Sequence, residues 1–130
     1  MILVDTSVWA DWWNGAPGAH CERLDRALAN QAVGVAPVIL TETLQGFRNE
    51  RGFETARRLL LELPILTLDT AGHVDAARLY RSLRRRGVTV RGTVDCVIAQ
   101  TCIASGAQLL TADRDFAAIA KHSPLRLCVT

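Results

Sequence analysis

One carboxylate in an otherwise apolar helix limits what this chain can fold into. Between Arg91 and Asp113, in the stretch RGTVDCVIAQTCIASGAQLLTAD, Asp95 is the only charged side chain. Val94, Val97, Ile98, Ala99, Cys102 and Ile103 spread around nearly all sides of the helix this stretch predicts, and a helix apolar all round is buried. An ion without a partner beside a core costs several kcal/mol, so a charge kept there has a counter-ion or a task. Asp113 and Asp115 follow after the next apolar run. The expectation is that Asp95 and Asp113 meet Asp5 and Glu42 from the other half of the chain, and that the four hold a divalent cation.

The 130 residues are read as one domain, residues 1–130, and an apolar fraction of 49% with 22% charged residues fits a globular chain rather than a disordered one. No apolar run approaches the roughly 18 residues of a spanning helix. The start, MILVDTSVW, lacks a basic leader and is interrupted by Asp5, so a cytoplasmic protein without a secretory signal is expected. Cys21, Cys96, Cys102 and Cys128 form no C-x-x-C pair and read as free thiols rather than disulfide or zinc ligands.

The net charge of +2 does not by itself announce a nucleic-acid partner. All the basic residues except Lys121 are arginines, and Arg78, Arg81, Arg84, Arg85, Arg86 and Arg91 lie in a stretch without an acid. Such a run is either a solvated face or a phosphate-binding one, for which the planar guanidinium is well suited.

Ile2 to Val4 reads as a strand feeding a helix from Thr6-Ser7 to Asn14-Gly15, with Asp5 at the junction as N-cap or ligand. Trp9, Trp12 and Trp13 share one side of that helix, as core or as a partner-binding groove. Helices are predicted from Ala19 to Asn30, from Pro37 to about Asn49, from after Gly52 to Pro64, and from Asp69-Thr70 to Gly87. In the second of these, Leu40, Leu44 and Phe47 form the apolar stripe, which leaves Glu42 to face solvent or a cleft; spacing favours solvent. Arg78, Arg81 and Arg85 align on the outer face of the last. Val33 to Val35, Ile65 to Leu68, Gln108 to Leu110 and Leu125 to Val129 read as strands, and Phe116 to Ala120 as a short helix that Asp113 could cap. Short strands alternating with longer helices predict an α/β fold with a mainly parallel central sheet and helices on both faces.

Taken together, MILVDTSVWADWW, TETLQGF and RGTVDCVIAQTCIASGAQLLTADRDF resemble the PIN-domain proteins, and within them the VapC toxins of VapBC toxin-antitoxin pairs. The resemblance spans essentially the whole chain. It implies a three-layer α/β/α domain and an acidic cluster of Asp5, Glu42, Asp95 and Asp113, with Asp115 a further member and Thr6 and Thr111 as hydroxyls near the metal. It also implies a Mg²⁺- or Mn²⁺-dependent ribonuclease that leaves 5′-phosphate and 3′-hydroxyl ends on transfer or ribosomal RNA. A cognate VapB antitoxin and a homodimer are implied too, and the tryptophans are candidates to receive an antitoxin helix.

Oxygen ligands suit Mg²⁺ or Mn²⁺, and Arg78, Arg81 and Arg85 are candidates for RNA contact. Two other readings share the fold class. A phospho-receiver domain needs paired acids after the first strand and a late lysine, whereas Asp5 stands alone and Lys121 lies in a helix tail. A non-catalytic RNA-binding relative would not need all four acids.

Overall fold

The first strand, β1 (Ile2–Val4), is apolar at every position and buried at every position, as a strand covered on both faces must be. It lies at the centre of a parallel sheet of order β2-β1-β3, between β2 (Val33–Gly34) and β3 (Gln108–Leu110). Ile2 pairs with Val33 and Gln108, Leu3 with Gly34 and Leu109, and Val4 with Leu110. The structure is a computed structural model that describes all 130 residues.

Seven helices complete the α/β/α architecture: α1 (Thr6–Trp13), α2 (Ala19–Ala29), α3 (Pro37–Gln45), α4 (Glu50–Leu61), α5 (Thr70–Arg85), α6 (Thr93–Ser105) and α7 (Asp115–Lys121). They pack as two sets: α1 touches α2 and α3, and α3 touches α4, whereas α6 lies against α5, α7 and β3. Leu3, Val4, Val8, Trp9, Leu24, Ile39, Ile98, Leu109, Leu110 and Phe116 form the centre of one continuous core. No helix is long and apolar enough to cross a membrane. All four cysteines are free.

The helix ends follow from local chemistry. Asp69 caps α5 by accepting the Gly72 N–H at 2.7 Å. Gly106 ends α6 in the left-handed region at φ 75°, which a residue with a Cβ adopts only with strain.

Three expectations need correction. Helix α3 stops at Gln45 instead of reaching Asn49, because Asn49 adopts an extended backbone and accepts the Gly52 N–H at 2.8 Å as the N-cap of α4. Gly52 therefore sits in the first turn of that helix and does not interrupt it. On α3 the deeply buried positions are Ile39 and Thr43, with Leu40, Leu44 and Phe47 only half-buried.

The segments Ile65 to Leu68 and Leu125 to Val129 are not full strands: each pairs by one parallel bridge, Ile65 with Val35 and Leu127 with Leu109. Each follows a proline, Pro64 or Pro124, which has no N–H to give a ladder. The third concerns the tryptophans. Trp9 is fully enclosed (0% exposed) and belongs to the core, while Trp12 and Trp13 remain half-buried.

Because Leu3 is enclosed at the middle of the sheet, Leu3→Ala is expected to lower unfolding free energy by about 2–5 kcal/mol in urea denaturation. The exposed Leu61→Ala should change it by no more than about 0.5 kcal/mol. Equal effects would mean that the sheet centre does not organise the core.

Candidate metal centre

All strands run the same way, so the carboxyl ends of β1 and β3 lie side by side, and the residues that follow them meet there. Asp5 follows β1 at the N-cap position of α1, yet its side chain does not cap that helix. Its Oδ2 instead accepts two hydroxyl donors, Ser7 Oγ at 2.8 Å and Thr111 Oγ1 at 2.9 Å. Thr111 is the first residue after β3, and its Oγ1 also accepts the backbone N–H of Asp113 at 3.0 Å. Ser7 Oγ accepts the backbone N–H of Ala112 at 3.1 Å. The turn after β3 is thereby bonded to the turn after β1.

Within that second turn Asp113 Oδ1 accepts the Asp115 N–H at 2.9 Å, which folds the turn back on itself and aligns both acids. Helix α6 brings Asp95 in its first turn, where the helix dipole partly compensates the negative charge. One carboxylate oxygen from each of Asp95, Asp113 and Asp115 lies within 4.8 Å of the other two.

Asp5 and Glu42 stand outside this tightest group but within its field. Burial, followed by repulsion from Asp113, Asp5, Asp115 and Glu42, pushes the Asp95 carboxyl up to about 6. Glu42, from the middle of α3, is half-buried and accepts a hydrogen bond from Thr6 Oγ1 at 2.9 Å. Spacing along its own helix favoured solvent, but the space it faces is built by α1, which that spacing does not describe.

Two residues outside the expected set take part. Ser7 is the second donor to Asp5; its place two residues on, in the D-T-S run, was the available signal. Arg91 was visible only as one member of a basic run. Its Nε lies 3.0 Å from Asp115 Oδ2 in an ion pair not aligned as a hydrogen bond, and its side chain is 82% exposed. Such a pair is weakly held.

The arginines of α5 divide. Arg78 is paired with Asp75 at 2.9 Å, and Arg84 lies over the Tyr80 ring, whereas Arg81 and Arg85 are exposed without an acidic partner. Arg81 and Tyr80 line a cavity with Thr93 and Cys96, so the second half of α5 lies beside the first turn of α6.

The donor set suits a hard divalent cation. Every candidate ligand atom is oxygen, with no imidazole or thiolate among them. Ligands on opposite sides of a Mg²⁺ ion are about 4.2 Å apart at its usual oxygen distance. Adjacent ligands are about 3 Å apart, so the three aspartate oxygens, all within 4.8 Å of one another, would draw somewhat closer to share one ion.

Comparison with known proteins shows the family to which the chain belongs. The PIN domain family profile matches residues 2–122. A VapC ribonuclease of Mycobacterium bovis and ribonuclease VapC11 of Mycobacterium tuberculosis are each 36% identical over 131 aligned positions, covering 97% of this chain and 96% of the relative. Among solved structures, VapBC2 from Rickettsia felis bound to a promoter DNA fragment superposes with a TM-score of 0.77 at 20% identity, covering 98% of both chains. VapC20 of Mycobacterium tuberculosis, described as a sarcin-ricin loop cleaving toxin, gives a TM-score of 0.69 at 23% identity, covering 97% of this chain and 99% of that one. With a family match across nearly its whole length and full-length relatives above a third identical, the chain belongs to the PIN-domain family, among the VapC ribonucleases.

Proposed function

We propose that this protein is a Mg²⁺- or Mn²⁺-dependent endoribonuclease, the toxin of a toxin-antitoxin pair, with Asp5, Glu42, Asp95, Asp113 and Asp115 as its acidic centre. The observation that carries the reading is the approach of oxygens from Asp95, Asp113 and Asp115 to within 4.8 Å of one another at the carboxyl edge of a parallel sheet. The relatives named as ribonucleases support it, and the sarcin-ricin loop cleaving neighbour favours structured RNA, ribosomal or transfer, as substrate. The neighbours solved as VapBC assemblies favour a VapB-type antitoxin; one domain over residues 1–130 and a homodimer remain part of the proposal on the family resemblance alone. The receiver alternative falls with the family match.

Asp95, Asp113 and Asp115 would hold the ion, and Asp5 keeps Oδ1 available because Ser7 and Thr111 occupy Oδ2. A bound divalent ion supplies a lowered water pKa and offsets the charge gathering on the phosphate oxygens. Thr111 locks the Asp5 side chain in orientation and fixes the Asp113 backbone, so one hydroxyl sets the geometry of two acids. Thr6 orients Glu42 in the same way. Below about pH 6 burial and the neighbouring acids keep a proton on Asp95, which would have to be ionised to hold a cation. Arg81, which borders the first turn of α6, and Arg85, further along α5, both lack an acidic partner, which supports their meeting RNA phosphates; Arg78 has its charge partly answered by Asp75.

Millimolar Mg²⁺ or Mn²⁺ is expected to raise the Tm of the wild type and not that of Asp95→Asn, and RNA cleavage in Mn²⁺ should fall at least a hundredfold in Asp5→Ala or Asp113→Asn (about 3 kcal/mol in the barrier). Equal thermal shifts in wild type and Asp95→Asn, or undiminished cleavage, would refute the shared centre.

Without divalent metal, stability should depend on pH through Asp95. Its folded carboxyl sits at about 6, above its ordinary 3.8, so the folded state binds the proton more tightly. The stabilisation is complete below about pH 4 and is lost as pH rises through 6. Discounted for solvent, it amounts to on the order of 1 kcal/mol. Chemical denaturation of wild type and Asp95→Asn across that range should show the variant with a flatter profile; parallel profiles would contradict the assignment. Replacing Arg81 and Arg85 should weaken RNA binding and reduce its salt dependence by about two counterions, with Arg78→Ala having the smaller effect.

A further inference from the structure

Between α1 and α3 lies a cavity of about 270 Å³ that borders the acidic centre. Thr6 and Glu42 form the wall it shares with that centre, and Trp13, Phe47, Thr43 and Gly46 enclose most of the rest. We propose that it receives one unstacked nucleobase of the RNA, next to the nucleotide whose phosphate lies at the carboxylates. This deepens the ribonuclease reading and rests on it.

Three observations point to a base. The walls are aromatic and fixed. Trp13 and Phe47 meet edge to face at a centroid distance of 5.5 Å, and Trp13 is stacked at 5.0 Å on the enclosed Trp9 and braced at 5.2 Å by Trp12. Trp12 is itself held by its Nε1 donating to Asp25 at 2.9 Å. An indole immobilised in this way offers a stacking surface that needs no further ordering when a base arrives.

Secondly, Thr43 lines the cavity at 6% exposure, and its buried Oγ1 has no hydrogen-bond partner. Helical threonines commonly bond back to the carbonyl four residues earlier, as Thr41, Thr55 and Thr101 do here. A buried hydroxyl without that bond calls for another partner. Because Thr43 lines the cavity, a polar edge seated there is the partner within reach that the proposal assigns to it. The exposed amide of Asn14, also on the cavity wall, adds a donor and an acceptor.

Thirdly, the site shares Glu42 and Thr6 with the acidic centre, so a base seated there belongs to a nucleotide adjoining the cleaved bond. Sequence-selective RNA recognition works in this manner, through splayed bases stacked on aromatic side chains and hydrogen-bonded along their edges.

Gly46 provides a clean test. Its φ of −76° is ordinary for any residue, and a Cβ there would meet only the Thr43 carbonyl oxygen at 3.4 Å. Gly46→Leu should therefore fill the cavity and leave the fold intact.

The experiment compares the full chain with Gly46→Leu, Trp13→Ala, Trp13→Phe and Thr43→Val. Fluorescence anisotropy in Ca²⁺ measures binding of labelled oligo-A, oligo-C, oligo-G and oligo-U ribonucleotides and of a fully abasic oligomer of equal length. The wild type should favour at least one base over the abasic oligomer by about tenfold. Gly46→Leu and Trp13→Ala should abolish that preference while binding the abasic oligomer as before, Trp13→Phe should keep most of it, and Thr43→Val should change which base is favoured.

No base preference in the wild type, or equal loss of based and abasic binding in Gly46→Leu at unchanged Tm, overturns the proposal. So does a Gly46→Leu protein that keeps its base preference but is no longer neutralised by antitoxin, since the occupant is then a protein side chain. Mn²⁺-dependent cleavage by the wild type, lost in Asp95→Asn, is measured in parallel. Absent cleavage with intact base preference would reject the nuclease reading alone.

Discussion

Like charges must be kept close together in this protein, and the double hydrogen bond into Asp5 is what keeps them there. Two unit charges at about 5 Å repel by on the order of 3 kcal/mol at an effective dielectric of about 20. Left to themselves, flexible turns would let the acids drift apart. Ser7 and Thr111 prevent this by joining the turns after β1 and β3, and the adjacent parallel strands beneath them leave the two turns no room to separate. The enclosed core supplies the stability that this arrangement consumes. Charge repulsion and fold thus oppose each other locally at this cluster.

Much of this was legible in the sequence, and the limits have physical causes. Asp95 declared itself because a carboxylate among Val97, Ile98, Ala99 and Cys102 has few explanations. Glu42 was not readable from its own helix, where it falls off the apolar stripe. Its neighbours Thr6 and Trp13 come from α1, far away in the chain.

Asn49 illustrates a different ambiguity. The same polar side chain can tail off one helix or cap the next, and only the bond to Gly52 decides. The runs after Pro64 and Pro124 have strand composition, but composition does not report how many partners an outer segment will find. The three tryptophans looked equivalent by spacing. A turn of helix separates burial from half-exposure, however: Trp9 alone is enclosed, while Trp12 and Trp13 pack against the edge of the core.

The single-bridge pairing of Ile65 and Leu127 also bears on solubility at high expression. Long unsatisfied ladders at a sheet margin invite intermolecular strand addition and aggregation. Here both margins are bordered by segments that pair for only one residue, each introduced by a proline, which leaves another chain no regular template to extend.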